Sequence, residues 1–263
     1  MISRYIVTLN GISLESIHPA ILITDVQYPP VAYERESISI VNRDGARIHR
    51  SYKEKSEVTI SFMIREYDVY NRQLICQDIC KWAMDGGRLM TNDRPLQFLD
   101  CIVDSFPAVE STKGWTEELT ITFAAYGIPY WQDLIQTELK PTAGSTSVLI
   151  SGKVPGNSPW ALVDVDITPS DTLTRIEIVI SSTKHNLSQQ KFVLSGMSVP
   201  ANQTVTISHD ENGVVRIYRN SYNLLRFQEG KDDLIAKCGI LNNFNYAANC
   251  ACTVVYKVRG YYE

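Results

Sequence analysis

The chain has 263 residues, 44% hydrophobic and 21% charged, which suits two ordinary folded domains each able to bury its own core. No apolar run approaches the roughly 18 residues a membrane-spanning helix needs, so membrane insertion is not expected. The net charge of −4 divides into −6 up to Glu138 (13 Lys and Arg, 19 Asp and Glu) and +2 beyond it (12 and 10); neither part has the concentrated basic face of a nucleic-acid module, so specific nucleic-acid binding is not expected either.

The opening MISRYIVTLNG has neither the continuous apolar stretch nor the small-residue cleavage site of a secretory signal, and folding in a cytosol is expected. Turn signals follow at Asn10-Gly11, Pro29-Pro30, Asp44-Gly45 and Asn92-Asp93. Val58, Ile60, Phe62 and Ile64 alternate with polar neighbours, as do Leu119, Ile121, Phe123 and Ala125; both runs predict strands with one buried face, sharing a core. Between them, residues 70–84 place Leu74, Ile75, Ile79, Trp82 and Ala83 at helical spacing, and Gly86-Gly87 supplies a left-handed stop.

After Trp131 the texture changes. Residues 136–160 are rich in Ser, Thr, Gly and Pro and read as a linker leading into a new domain. We therefore expect domains at 1–138 and 139–263. The second shows β-like runs at 161–166, 176–180, 204–208, 214–218 and 250–258 with no helical pattern, which predicts a β-sandwich.

Motifs of catalysis are missing: the sequence contains no nucleophile elbow, no zinc-protease His pair and no phosphate-cradling Gly loop. Asp164 with Asp166, or Asp210 with Glu211, would make a carboxylate pair for sugar hydrolysis. The first two are instead outward positions of a strand, and DENG at 210–213 reads as a hairpin turn. The six cysteines lack paired C-x-x-C spacing and read as buried free thiols; a zinc site from Cys238, Cys250 and Cys252 would want a fourth ligand. No metal or cofactor is expected, and the chain is not expected to be an enzyme. Two non-catalytic sites are candidates. Trp160, Tyr218 and Tyr222 would stack on sugar rings if exposed on the sandwich. Arg43, Asp44, Gly45, Arg47 and Arg50 form a tight polar turn with arginines, better suited to clamping a neighbouring subunit's carboxylates than to chemistry.

The order of these features resembles the distal tail proteins, tail-tip hub components of long-tailed bacteriophages and prophages with flexible tails. The features are the Asn10-Gly11 turn, ILITDVQYPP at 21–30, the Arg43-Asp44-Gly45 turn, VTISFMI at 58–64, the single helix and TFAAYGIPYW at 122–131, then GNSPW at 156–160, SHDENGVV at 208–215 and KVRGYY at 257–262. The resemblance implies a mainly β protein with a tail-tube-like N-terminal β-sandwich flanked by one helix, followed by a galectin-like or carbohydrate-binding-module-like β-sandwich. It also implies a homohexameric ring at the distal end of the tail tube. Expected partners are the tube protein, the tape-measure protein, a tail-associated lysin or tail-tip protein, and a receptor-binding protein docked on the outward C-terminal domain. The place of action would be the virion tail tip, after assembly in the host cytoplasm. The alternative is a tail adhesin that binds host glycans.

Overall fold

The computed structural model describes residues 5–30, 33–39, 46–107, 118–141, 144–182, 190–230 and 233–263. The chain divides into two compact units, Met1–Trp131 and Gln132–Glu263. This division falls slightly before the 138/139 boundary expected from composition, because residues of the supposed linker are strands of the second unit.

In the first unit the elements are β1 (Val7–Leu9), β2 (Ile12–Ser13), β3 (Ile21–Gln27), β4 (Tyr33–Ser39), β5 (Ala46–Lys53), β6 (Ser56–Ile64), α1 (Val69–Ala83), β7 (Gly87–Thr91), β8 (Gln97–Ser105) and β9 (Leu119–Ala125). An antiparallel path β2-β1-β7-β8-β9-β6-β3 joins seven of the strands. The two alternating runs pair directly, Val58 with Phe123 and Ile60 with Ile121. All four side chains are fully buried, as period-two patterning requires when one face meets a core. Asn10 and Gly11 take positive φ values of 52° and 81°, the geometry a two-residue hairpin demands. Helix α1 starts where the Asp68 carboxylate accepts the amides of Tyr70 and Asn71 and ends at Ala83, whose carbonyl accepts from the amide of Gly86, a residue with φ 63°. Its buried stripe is Arg72, Ile75, Cys76, Ile79 and Ala83. Leu74, expected inside, is 40% exposed.

β4 and β5 form a sheet of their own, Tyr33 opposite Lys53 and Ser39 opposite Ala46. In sequence they lie between β3 and β6, whose last partners are Gln27 and Thr59. With strands of seven and eight residues, this ribbon is roughly 25 Å long at the ordinary strand rise.

β10 (Trp131–Asp133) spans the boundary. The second unit continues with β11 (Thr137–Leu139), β12 (Ser145–Lys153), β13 (Ala161–Pro169), β14 (Leu173–Ser182), β15 (Gln190–Val199), β16 (Val205–His209), β17 (Val215–Arg219), β18 (Tyr222–Asn223), β19 (Gln228–Glu229), β20 (Ile235–Ala236), β21 (Leu241–Val258) and β22 (Tyr261–Tyr262). The central path is β18-β17-β16-β13-β21-β14-β15-β19. β21 organises this unit: its first part pairs with β12 and β14, its last part with β11 and β13. Phe244 and Tyr256 would lie ~40 Å apart on a straight strand, yet their ring centroids are 5.1 Å apart. The strand therefore bends back, and the Tyr246 hydroxyl holds the bend by donating to the carbonyls of Ser145 and Cys252. Strand corners of this kind let one sheet wrap its own core. Inside lie Val163, Val165, Ile167, Ile176, Ile178, Phe244 and Val254, all fully buried.

Candidate assembly surface

The β4–β5 hairpin has the features of an arm that meets another molecule. Glu34, Arg35 and Glu36 are exposed, and so are Tyr33 and Tyr52 at its base. No other strand pairs with it among the described residues. A two-stranded ribbon in water is marginal by itself, and its outer edges offer unpaired backbone groups to a further strand. Tyr52 donates to the Glu34 carboxylate at 3.0 Å; that bond, with the carboxylate's charge, raises the phenol's pKa. Arg43, Asp44 and Gly45 lie outside the described residues. Arg47 and Arg50 sit on β5 opposite Ile38 and Glu36; their side chains lie outside the description.

The root of the arm is gripped from both strands. On the entering side, the Tyr28 hydroxyl donates to both Asp93 oxygens at 2.8 Å and meets the Thr91 hydroxyl at 3.0 Å. Its ring stands edge-on to Trp131, and the Arg94 guanidinium lies 4.9 Å from both ring centroids. On the leaving side, the Lys53 ammonium, 8% exposed, sits 4.7 Å from the Tyr130 ring centroid, and Ser56 donates to the Pro129 carbonyl at 2.8 Å. Cation–π contacts strengthen when desolvated, so both strands are fixed to residues 129–131. Burial raises the Tyr28 phenol, with Asp93 adding to the effect. For Asp93, burial is outweighed by hydrogen bonds from Thr91 and Tyr28, and its carboxyl lies below the ordinary carboxylate value. Apart from turn propensity at Pro29-Pro30, no local pattern marked this cluster, because its members come from four separate segments.

The proposed sugar-stacking set does not converge. Trp160 is half-buried edge-on to Tyr261, just before β13. Tyr218 lies opposite Thr206, whose hydroxyl bonds Asp166, six residues up β13 or ~20 Å along the strand. Only Tyr218 and Tyr222 are near each other, on paired β17 and β18; Tyr222 is exposed, with the Arg219 guanidinium 5.3 Å from its ring centroid.

The residues with chemical potential have structural partners. Asp164 accepts from Gln136 and from the amide and ring Nδ1 of His209; the His209 side chain is 3% exposed and its Nε2 meets no hydrogen-bond partner. Asp210 accepts from the amides of Asn212 and Val214 and from Arg216, closing the DENG hairpin as expected. Cys238 receives a hydrogen bond from Ser158, and among the described residues no three His, Cys, Asp or Glu gather as a metal site.

No family model matches the sequence, and no curated protein matches it. Among solved structures, the Dit protein of phage SPP1 superposes with a TM-score of 0.67 at 14% identity, over 97% of this chain and 98% of the other. The fold is a Dit fold. The SPP1 protein is described as a paradigm of the hub adsorption apparatus in phages infecting Gram-positive bacteria. Two phage p2 baseplate structures also align, at 10% and 11% identity over 97% and 99% of this chain and 97% and 98% of theirs, with TM-scores of 0.48 and 0.47. In this Dit fold the described residues of the arm and its root are 28–30, 33–39, 46–56, 91–94 and 129–131.

Proposed function

We propose that this chain is the distal tail protein of a long-tailed phage or prophage, a hub whose work is geometric. The observation that carries this reading is agreement of fold along 97% of the chain with a protein described as a hub component. The unpaired β4–β5 arm supports it: a ring closes through heterologous contacts, which need a projecting element on one side of each subunit and a receiving surface on the other. In this reading the first unit is tail-tube-like and six copies close the ring. The second is a galectin-like sandwich that presents docking surface to receptor-binding proteins, and the tube, tape-measure and tail-tip proteins are the axial neighbours. In this reading the chain acts in the virion tail tip and has no catalytic role.

The test is solution mass by light scattering over a concentration series, with purified tail tubes added in a second series. A sixfold mass, alone or on tube ends, is expected; replacing residues 33–53 by a short Gly-Ser turn should leave a folded monomer. A full-length monomer that also fails to cap tubes would overturn the reading. Glycan binding that depends on Tyr218 and Tyr222 would instead favour the adhesin.

A further inference from the structure

We propose that Cys250 and Cys252, at the corner of β21, form a reversible dithiol–disulfide site. In a regular strand, residues two apart share a face at a spacing of ~6.6 Å. Here the two sulfurs are 4.0 Å apart. The cause is visible in the register: between Ser145 and Ser147 on β12, the partner on β21 jumps from Cys252 to Ala247, so residues 248–251 bulge away from β12, while Ala248 stays paired with Ile176 on β14 and the Ala251 carbonyl accepts from the Ser170 amide. The bulge frees this part of the strand from β12, so the sulfurs have about 2 Å left to travel to the length of a disulfide bond.

The surroundings hold this loop in place. Asn249 accepts from the amides of Thr174 and Arg175 and donates to the Thr172 carbonyl. Cys250 points its thiol at the Asp171 carbonyl, 3.6 Å away, and Cys252 points at the carbonyl of Cys250, 3.4 Å away. Cys250 is half-exposed, whereas Cys252 is 1% exposed. The two thiols thus divide the roles of a thiol–disulfide pair: the accessible one meets the oxidant, and the sheltered one closes the ring.

The chemistry balances with an electron acceptor such as diamide or a small-molecule disulfide. Cys250 thiolate adds to the diamide N=N bond. Cys252 thiolate then attacks Cys250 Sγ, forming the S–S bond and expelling the hydrazine, which carries away two electrons and two protons. With glutathione disulfide, the same two electrons leave on two glutathione thiols. Burial, with the neighbouring Cys250, pushes the Cys252 thiol up to about 12, so ring closure should speed up by about tenfold per pH unit in the neutral to mildly alkaline range. The closed disulfide would staple the corner that also holds the Tyr246 bonds. This inference is independent of the hub reading.

The experiment treats the full-length reduced protein with diamide, quenches with iodoacetamide and maps tryptic fragments. Trypsin releases residues 238–257 as one piece holding three cysteines, so Cys238→Ser is run in parallel. We expect this fragment to appear about 2 Da lighter than its reduced, unalkylated form in Cys238→Ser, and about 2 Da lighter than the form alkylated at Cys238 alone in wild type. It should resist alkylation at 250 and 252 and revert with dithiothreitol. Cys250→Ser and Cys252→Ser should each abolish the link. A link between chains, a link to another cysteine, free alkylation of Cys250 without ring closure, or two unreactive thiols would each overturn the proposal.

Discussion

Asn242 is 1% exposed and satisfies three backbone groups at once: Oδ1 accepts from the Lys237 amide, and Nδ2 donates to the carbonyls of Lys237 and Ile240. Stranding buried backbone groups is costly, so Asn242→Ala should destabilise the chain by about 2–4 kcal/mol in urea unfolding. A loss below about 0.5 kcal/mol would mean those groups find other partners. Arg72 is the opposite case. Its side chain lies in the buried stripe of α1, 6% exposed, with Nε and one terminal nitrogen lacking hydrogen bonds. Replacing such a cation by an apolar side chain of similar length removes a desolvation cost. We expect Arg72→Met to raise the melting temperature; a fall would reveal an attractive partner for the guanidinium. Both cases bear on legibility. Asn10-Gly11 could be read from sequence because its backbone angles suit few residues, whereas Asn242 takes its meaning from carbonyls placed by the fold. The inward positions expected from sequence are Leu74, Ile75, Ile79, Trp82 and Ala83; the fold buries Arg72 and Cys76 as well, and an arginine gives no apolar signal that would mark it.

At the scale of elements, strongly alternating segments such as β6 and β9 were legible, and β12 was not. Its Ser, Thr and Gly content resembles a linker because it is an edge strand, paired along one side by β21. Only Val148 and Ile150, opposite Tyr246 and Phe244, carry the inward pattern. The arm was seen only as a charged excursion, since pairing with itself leaves no buried face to impose alternation. Its root yields the next prediction. Lys53→Met with Tyr28→Phe removes the cation over Tyr130 and the hydroxyl held by Asp93, while keeping side-chain bulk. Amide exchange in residues 33–53 should accelerate severalfold with little change at β6 and β9; unchanged exchange would show that the ribbon does not depend on the clamp. The pH dependence has two limits. Asp93, lowered in the fold, contributes stability that is present above its unfolded value of about 4 and lost as pH falls through the folded value. Tyr28, raised in the fold, contributes stability that is full below about 10 and lost as pH rises through its higher folded value. Arm protection should therefore be flat between those values and decline outside them, and the double variant should lose this profile.

For the whole molecule, what sequence order conveyed was the succession of a strand-rich unit with one helix and a second unit made of strands. The bend of β21 and the convergence of Tyr28, Arg94 and Trp131 depend on contacts far apart in sequence, which no local window contains. The same distinction governs the last prediction. A subunit that assembles through an arm must keep folding and association separable, because the residues that associate contribute little to its own core. Arg47 lies on β5 and Arg43 precedes it in sequence, in a first half that carries a charge of −6; under the proposed ring, a neighbour's carboxylates would meet these arginines. Reversing both, Arg43→Glu with Arg47→Glu, should leave the melting temperature of the dissociated chain within about 2 °C, as expected of a charged loop that faces solvent, where substitutions change stability by only a few tenths of a kcal/mol. Association should weaken by at least about tenfold, with like charges facing each other across the contact. Raising salt should weaken wild-type association and partly restore the variant, because screening removes attraction in one and repulsion in the other. Light scattering at low and high salt reads all of these arms. If the variant assembles like wild type at both ionic strengths, the arginines play no part in the contact and the arm's backbone edges are left to carry it.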